Sequence, residues 1–201
     1  MPQLGLKWDR ALVNSQRPFS WRDIDGWFND ADAEIYQRIA RLAPKRGGIA
    51  EIGVWKGRSF CCLIQALQAA HKEPFLYAVD TFMGSEEHQP MQQSPLDLQW
   101  EFKANVIATR YPYWMLMATD STSAARYISD DSLSAVFIDA SHKQEHVEHD
   151  IITWTPKLRS NGIIAGHDYT SPMWSGVKLA VDKVLGADTI QTIGTCWMAV
   201  V

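Results

Sequence analysis

The sequence predicts an α/β fold with a mostly parallel sheet, on three observations. Short apolar runs bounded by turn residues alternate with helix-period segments along most of the chain. Those runs show no polar alternation, the pattern of strands buried on both faces. The segments between them are long enough for the crossover connections that parallel strands need. At 201 residues, 46% hydrophobic and 21% charged, the chain has apolar material for one sizeable core and little for two. It reads as a single domain, 1–201, with 1–45 a helical or lid segment and 46–201 the core.

From about Asn29 to Leu42 a helix is expected. Asn29 or Asp30 caps it, Ile35, Ile39 and Leu42 repeat at helical spacing, and Pro44 ends it. "IAEIGV", Ile49 to Val54, is a first buried strand, and after Gly57 the stripe Phe60, Leu63, Ile64, Leu67 marks a helix lasting to about His71. "FLYAVD" is a second strand. A loop with Gly84, Pro90 and Pro95 follows, then a helix from about Leu96 to Thr109. "YWMLMATD" is a third strand, "STSAARYI" a short helix and "LSAVFIDA" a fourth strand. A helix is expected from about His142 to Arg159, and "NGIIAGHDY" is a fifth strand. A helix around Val177 to Leu185 and two last runs, "DTIQTIG" and "TCWMAVV", complete the order.

Composition excludes several classes. The net charge is −4 with no cluster of Lys and Arg, so no nucleic-acid partner is expected. Cys61 and Cys62 are adjacent and Cys196 is distant, which is neither a disulfide framework nor a zinc spacing. The N-terminus lacks a basic region followed by an apolar stretch, and no run approaches the ~18 apolar residues of a membrane span. A soluble, cytoplasmic protein acting on a small molecule is the expectation; a homodimer is left open.

The ends of the strands carry the unusual residues. Strand one ends in "EIGVWKGRS", strand two in Asp80, strand three in Asp120 and Ser121, strand four in Asp139, and strand five in His167 and Asp168. Each could be an ordinary helix cap, yet ligands of open α/β sheets bind beyond these carboxyl ends. The first turn narrows the ligand. Gly53 and Gly57 with Trp55 between them do not make G-x-G-x-x-G, and Lys56-Gly57 reverses the P-loop order. What remains is Glu51 before a glycine turn, Ser59 at a helix start and Asp80 placed to accept from both hydroxyls of a ribose. That set suits a nucleoside joined to an amino acid.

With "AEIGVWKGRSF", "LYAVDTFMG", "ATDS", "VFIDASH" with "DIITWTPKL", and "GIIAGHDY" in order, the chain resembles class I S-adenosylmethionine-dependent methyltransferases. It is most similar to a bacterial small-molecule O-methyltransferase-like branch related to the macrocin O-methyltransferase group. The resemblance runs from about Ile49 to Tyr169. It implies a Rossmann-like fold: a seven-stranded, mostly parallel sheet with helices on both faces and a C-terminal antiparallel strand. It implies that Glu51, Gly53, Gly57 and Ser59 line the methionine part of the cofactor, that Asp80 holds the ribose with Thr81 and Phe82 beside it, and that Asp120 and Ser121 meet the adenine.

Asp139 is expected near the cofactor and the reaction. By similarity to metal-dependent members, Asp139, His167 and Asp168 are the candidate ligands of a divalent ion, Mg²⁺ or Mn²⁺, although an imidazole at 167 replaces a commoner acid and weakens the case for Mg²⁺. Removal of the acceptor's proton points to His142 or His167 as base. The implied activity is methylation of a small-molecule hydroxyl, on a sugar or natural product; alternatives are a non-catalytic nucleoside-binding protein on the same fold and a nicotinamide oxidoreductase.

"VFIDASHKQEHVEHD" also invites a metal reading of its histidines. At ~100° per residue, His142, His146 and His149 share one helix face, but Val147, Ile151, Trp154 and Leu158 lie about 140° away on the face that must cover the sheet. His146 and His149 are therefore expected on the solvent side, and only His142 within reach of the strand end.

Overall fold

The computed structural model describes residues 18–84 and 93–201. Its sheet has seven strands: β1 (Gly48–Ile52), β2 (Leu76–Val79), β3 (Trp114–Met117), β4 (Leu133–Ile138), β5 (Leu158–Gly166), β6 (Gln191–Ile193) and β7 (Cys196–Val200). They stand in the order β3-β2-β1-β4-β5-β7-β6. The first five are mutually parallel and β7 runs antiparallel between β5 and β6. The expected α/β fold with a C-terminal antiparallel strand is what forms.

Strand alternation sorts the core into two layers. Ile49, Leu76, Ala78, Ala135, Phe137, Ile163 and Met198 point to one side, where they meet α1 (Glu34–Leu42), α2 (Arg58–Ala69) and α3 (Pro95–Ala108). Ala50, Ile52, Val79, Val136, Ile138, Ile164 and Ala199 point to the other, under α4 (Ser121–Ala125), α5 (Gln144–Trp154) and α6 (Ser175–Leu185). Phe60, Leu63, Ile64 and Leu67 of α2 are fully buried, as their stripe predicts.

Three boundaries differ from expectation for local reasons. Asn29 caps a turn by accepting from the N–H groups of Ala31 and Asp32, but regular helix begins only at Glu34. In α1 the buried set is Ile35, Tyr36, Ile39 and Ala40, while Leu42 is exposed, so the stripe lies one position off. α5 stops at Trp154 instead of Arg159, because Pro156 has no N–H for a further helical bond; the chain makes one 3₁₀ turn and enters β5 at Leu158. The same helix starts at Gln144, which leaves His142 in the loop after β4. His146 and His149 are exposed, as their face requires.

β5 ends at Gly166, so His167, Asp168 and Tyr169 lie just past it. The space there is tight: a Cβ on Gly166 would stand 2.5 Å from the Ile138 carbonyl oxygen and 2.7 Å from the indole nitrogen of the fully buried Trp197. Gly166→Ala is expected to destabilise the fold by about 1–3 kcal/mol, the usual result of overpacking, measured by urea unfolding. An unchanged midpoint would mean that β5 and β7 do not pack this closely.

Candidate functional site

All five parallel strands release their chains on one edge of the sheet, and the residues singled out there are brought together in three groups.

The first is the turn from β1 to α2. Gly53 (φ +85) would carry a Cβ 2.0 Å from the Asp139 carbonyl oxygen, so the left-handed glycine lets this turn lie against the end of β4. Gly57 (φ +87) faces the Phe102 ring. The Asp80 carboxylate, at the end of β2, accepts from the N–H groups of Val54 and Trp55, each at 2.8 Å, on Oδ2, and from Phe82 N–H at 2.7 Å on Oδ1. A carboxylate has about four acceptor positions, so a further donor can be taken on Oδ1. Thr81, exposed beside it, closes its own turn by accepting from Met83 N–H.

Beneath the turn lies Glu51. It is fully buried, with the Tyr36 hydroxyl 2.7 Å from one carboxyl oxygen and the Ser59 hydroxyl 2.5 Å from the other. Burial pushes its carboxyl up to about 8, against the lowering effect of those two hydroxyls. Both carboxyl oxygens of Glu51 are thus engaged within the protein, by side chains of α1 and α2.

The second group is at the end of β3. Asp120 caps α4 by accepting from Ser123 N–H, which lowers its pKa. The Ser121 hydroxyl accepts from the Trp154 indole at 2.7 Å and bonds the buried Asp150, whose pKa burial raises.

The third group lies between β4 and β5. Asp139, His142 and Asp168 each offer one ligand atom, all within 4.8 Å of one another. His142 Nε2 is 3.0 Å from Asp168 Oδ2. Behind them His167 turns Nδ1 toward Asp168 (3.1 Å) and Asp139 (3.7 Å), and Nε2 toward Asp32 (3.3 Å) and Thr195 Oγ1 (2.9 Å). Burial alone would depress this imidazole; attraction from Asp139 and the hydrogen bonds to Asp168 and Asp32 outweigh it and raise the pKa to about 11. Among the described residues, Asp139, His142 and Asp168 are the group at these strand ends that could hold a cation, whereas the sequence expectation named His167 with Asp139 and Asp168.

Asp32, Cys196 and His167 also lie within 4.8 Å of one another, but this set does not suit a cation. Asp32 accepts from the N–H groups of Thr195 and Asn29 and from the Thr195 hydroxyl, and burial raises the Cys196 thiol far above its ordinary value.

Asp32, Tyr36 and Thr195 were not legible as site residues. Asp32 looks like one more acid at a helix start, Tyr36 like a core aromatic, and Thr195 like a turn residue. By sequence, the loop from Phe82 to Pro95 and the segment before Asn29 are the candidates for the acceptor pocket or its lid; residues 85–92 of the first and 1–17 of the second lie outside the described residues. The described residues before Asn29 fold over α2, where the Arg58 guanidinium donates to the carbonyls of Arg22, Ile24 and Phe28 and Trp27 stacks on Trp55. Non-glycine residues with left-handed backbone stand at three strand exits: Trp55 (φ 41), Phe82 (φ 58) and Asp168 (φ 63). Such strain persists only where surrounding contacts enforce it.

A parallel five-strand core with an antiparallel β7 beside β5, and carboxylates just past β2, β3, β4 and β5, is a Rossmann-like architecture. The family model described as "Methyltransferase domain" matches residues 50–169, and the chain belongs to that family. The O-methyltransferase NovP superposes with a TM-score of 0.65 at 18% identity, covering 84% of this chain and 78% of that one. CalS11, a TDP-rhamnose 3′-O-methyltransferase of calicheamicin biosynthesis, gives 0.61 at 18% identity, covering 95% and 90%. A Bacillus cereus O-methyltransferase solved with SAH gives 0.61 at 15% identity, covering 98% and 93%. The uncharacterised protein y4gI of Sinorhizobium fredii is 30% identical over 133 residues, 65% of this chain but only 14% of that protein's length. The described residues hold no helix long and apolar enough to cross a membrane.

The buried carboxyl of Glu51 makes stability depend on pH. With the folded value at about 8 and the ordinary one at 4.5, the folded state binds the proton more tightly. Stability is therefore highest below 4.5 for this group and declines as pH rises toward 8. Between pH 5 and 6.5, below the ordinary value of His167, Glu51→Gln is expected to flatten the decline seen in the wild-type chain by chemical unfolding. Equal slopes in the two proteins would place the Glu51 proton elsewhere.

Proposed function

We propose that this protein is an S-adenosylmethionine-dependent methyltransferase acting on a hydroxyl of a small molecule, a sugar or natural product. The observation that carries the reading is the juxtaposition of the Asp80-held turn with the Asp139–His142–Asp168 group on one sheet edge. Membership of the methyltransferase-domain family supports it, and so do the O-methyltransferase activities named for NovP, CalS11 and the Bacillus cereus enzyme.

The residues present fit the cofactor. Asp80 keeps acceptor capacity for a ribose hydroxyl, with Thr81 beside it. The turn through Gly53 and Gly57 lines the methionine part, with Ser59 and Glu51 supporting it from beneath. With the Ser121 hydroxyl engaged by Trp154 and Asp150, the adenine contact at the third exit falls to Asp120 and to backbone groups. S-adenosylmethionine supplies a methyl group on a sulfonium, open to in-line displacement by an acceptor oxygen. The chain must align that oxygen and take its proton. Both ring nitrogens of His167 already face polar partners within the protein, so we assign the proton to His142, oriented by Asp168. Were a divalent ion held by Asp139, His142 and Asp168, His142 would serve as ligand and not as base, and the ion itself would lower the acceptor's pKa. One nitrogen and two carboxylates favour Mn²⁺ over Mg²⁺.

Incubation with S-adenosylmethionine and a panel of sugar and phenolic acceptors is expected to release S-adenosylhomocysteine; cofactor binding without turnover on any acceptor would favour a binding protein. Asp80→Ala is expected to weaken cofactor binding in calorimetry by at least ~1.4 kcal/mol, about tenfold, with unchanged circular dichroism. Wild-type affinity in that variant would remove Asp80 from the ribose site. EDTA is expected to lower turnover and Mn²⁺ to restore it, and His142→Ala to lower it with the metal present. Undiminished activity in EDTA would sink the metal.

A further inference from the structure

The sheet ends at β3, and the flank of the molecule there is apolar on its outside as well as its inside. β3 is the outermost strand of the order β3-β2-β1-β4-β5-β7-β6, and no described strand pairs with its outer edge. Sheet edges in natural proteins are commonly guarded by charge, proline or a bulge. From Tyr113 to Met117 the chain reads Tyr-Trp-Met-Leu-Met, without such a guard, and Tyr113 and Met115 are 46% and 48% exposed. The strand at the opposite end, β6, exposes Gln191 and Thr192 instead.

α3 adds to this flank. Leu98, Phe102 and Val106 are its buried face, and Phe102 meets Trp114 of β3. At ~100° per residue, Glu101 and Asn105, which reach Lys56 just ahead of α2, lie to one side of that face, and Leu96, Trp100 and Ile107 lie to the other. These three are 59–65% exposed. Lys103, which shares their stripe, is drawn over the Trp100 ring. Apolar residues on both faces are the mark of a helix covered on both faces.

The hydrogen bonding of β3 selects what covers it. Tyr113 and Met117 give their carbonyl oxygens to the N–H groups of Leu76 and Asp80, so by alternation Trp114 and Leu116 turn their N–H and C=O groups outward. Antiparallel pairing with a second β3 satisfies all of these groups: Trp114 of each copy pairs with Leu116 of the other, and the two-fold axis passes between the two Met115 residues. Met115 then faces itself, a position where a charge would repel its own copy. The same axis brings the outer stripes of the two α3 helices toward each other on one side of the sheet. The exposed parts of Leu96, Trp100, Ile107, Tyr113 and Met115 come to roughly 500 Å², the larger share of the ~800 Å² that each partner gives to a standard interface. We propose that this flank is a self-association surface, through which two copies of the chain join by β3 and α3 into one continuous sheet.

Sedimentation velocity of the full chain is expected to show a dimer that dissociates on dilution. Hydrogen exchange read at single amides is expected to find the Trp114 and Leu116 N–H groups protected in the dimer and unprotected at dilutions that favour the monomer. Met115→Lys is expected to weaken the dimer at least about tenfold, since it sets like charges across the axis. Trp100→Ala is expected to weaken it by about tenfold as well, the loss of a central aromatic anchor, with thermal melting as the control for folding. Met115→Glu alone is expected to fail in the same way, yet mixing the Met115→Lys and Met115→Glu chains is expected to restore the dimer. That rescue separates a lost contact from a damaged fold. A full chain that stays monomeric at every concentration would overturn the proposal, and so would a dimer untouched by Met115→Lys. Protection of the Trp114 and Leu116 amides in a monomer would overturn it too, because another part of the same chain would then cover the strand. The outcome is independent of cofactor, metal and acceptor.

Discussion

The arrangement of the strand ends depends on one buried contact, that of the His167 imidazole with the Asp32 carboxylate. Asp32 is fully buried, and a carboxylate in that position is costly unless paired and hydrogen-bonded. It is both: His167 faces one oxygen, and the Thr195 N–H and hydroxyl occupy the other. Three parts of the chain meet there, the turn ahead of α1, the exit of β5 and the hairpin between β6 and β7. On its other side His167 faces Asp168 and Asp139. Removing either partner would leave a buried charge uncompensated, which typically costs far more than the pair contributes. The carboxylates that face the proposed reaction are thus held by a network that begins in the N-terminal segment, outside the family-matched residues 50–169.

The turn from β1 to α2 shows the same economy. Its glycines fit protein against protein, Gly53 against Asp139 and Gly57 against Phe102, while Asp80 closes the turn from the neighbouring strand. One carboxylate therefore both builds the loop and keeps an acceptor position for a ligand. The left-handed Trp55 and Phe82 follow from this, because the N–H groups of Trp55 and Phe82 must both point at Asp80.

Much of this was legible in the sequence because it depends on local pattern. Seven apolar runs gave seven strands, and an acid or polar group at each exit lay on one edge because parallel strands all end on the same side. What could not be read was contact between residues far apart in the chain. Asp32 and Thr195 have no motif, and their pairing appears only when β7 inserts beside β5. The exchange of His167 for His142 among the convergent ligands has a similar cause. Similarity to metal-dependent members named His167 and Asp168 together, and the two do touch, His167 Nδ1 lying 3.1 Å from Asp168 Oδ2, but the other ring nitrogen of His167 is taken by Asp32 and Thr195. His142 is available because α5 begins two residues later than periodicity suggests, which leaves it on a loop.

That substitution changes the chemistry expected of the site. In an all-acid arrangement a hard divalent ion would meet only oxygen, and its charge would be the largest in the cleft. Here the imidazolium of His167 already supplies a positive charge against Asp139 and Asp168, so part of the negative field is satisfied by the protein itself. In the proposed site a cation would meet two carboxylates, each also facing His167, and one imidazole nitrogen; such a set would bind more weakly than three acids and select by ligand softness more than by charge. The contacts of His167 with both acids hold them in place within the protein, the kind of preorganisation that the proposed electrostatic catalysis would use.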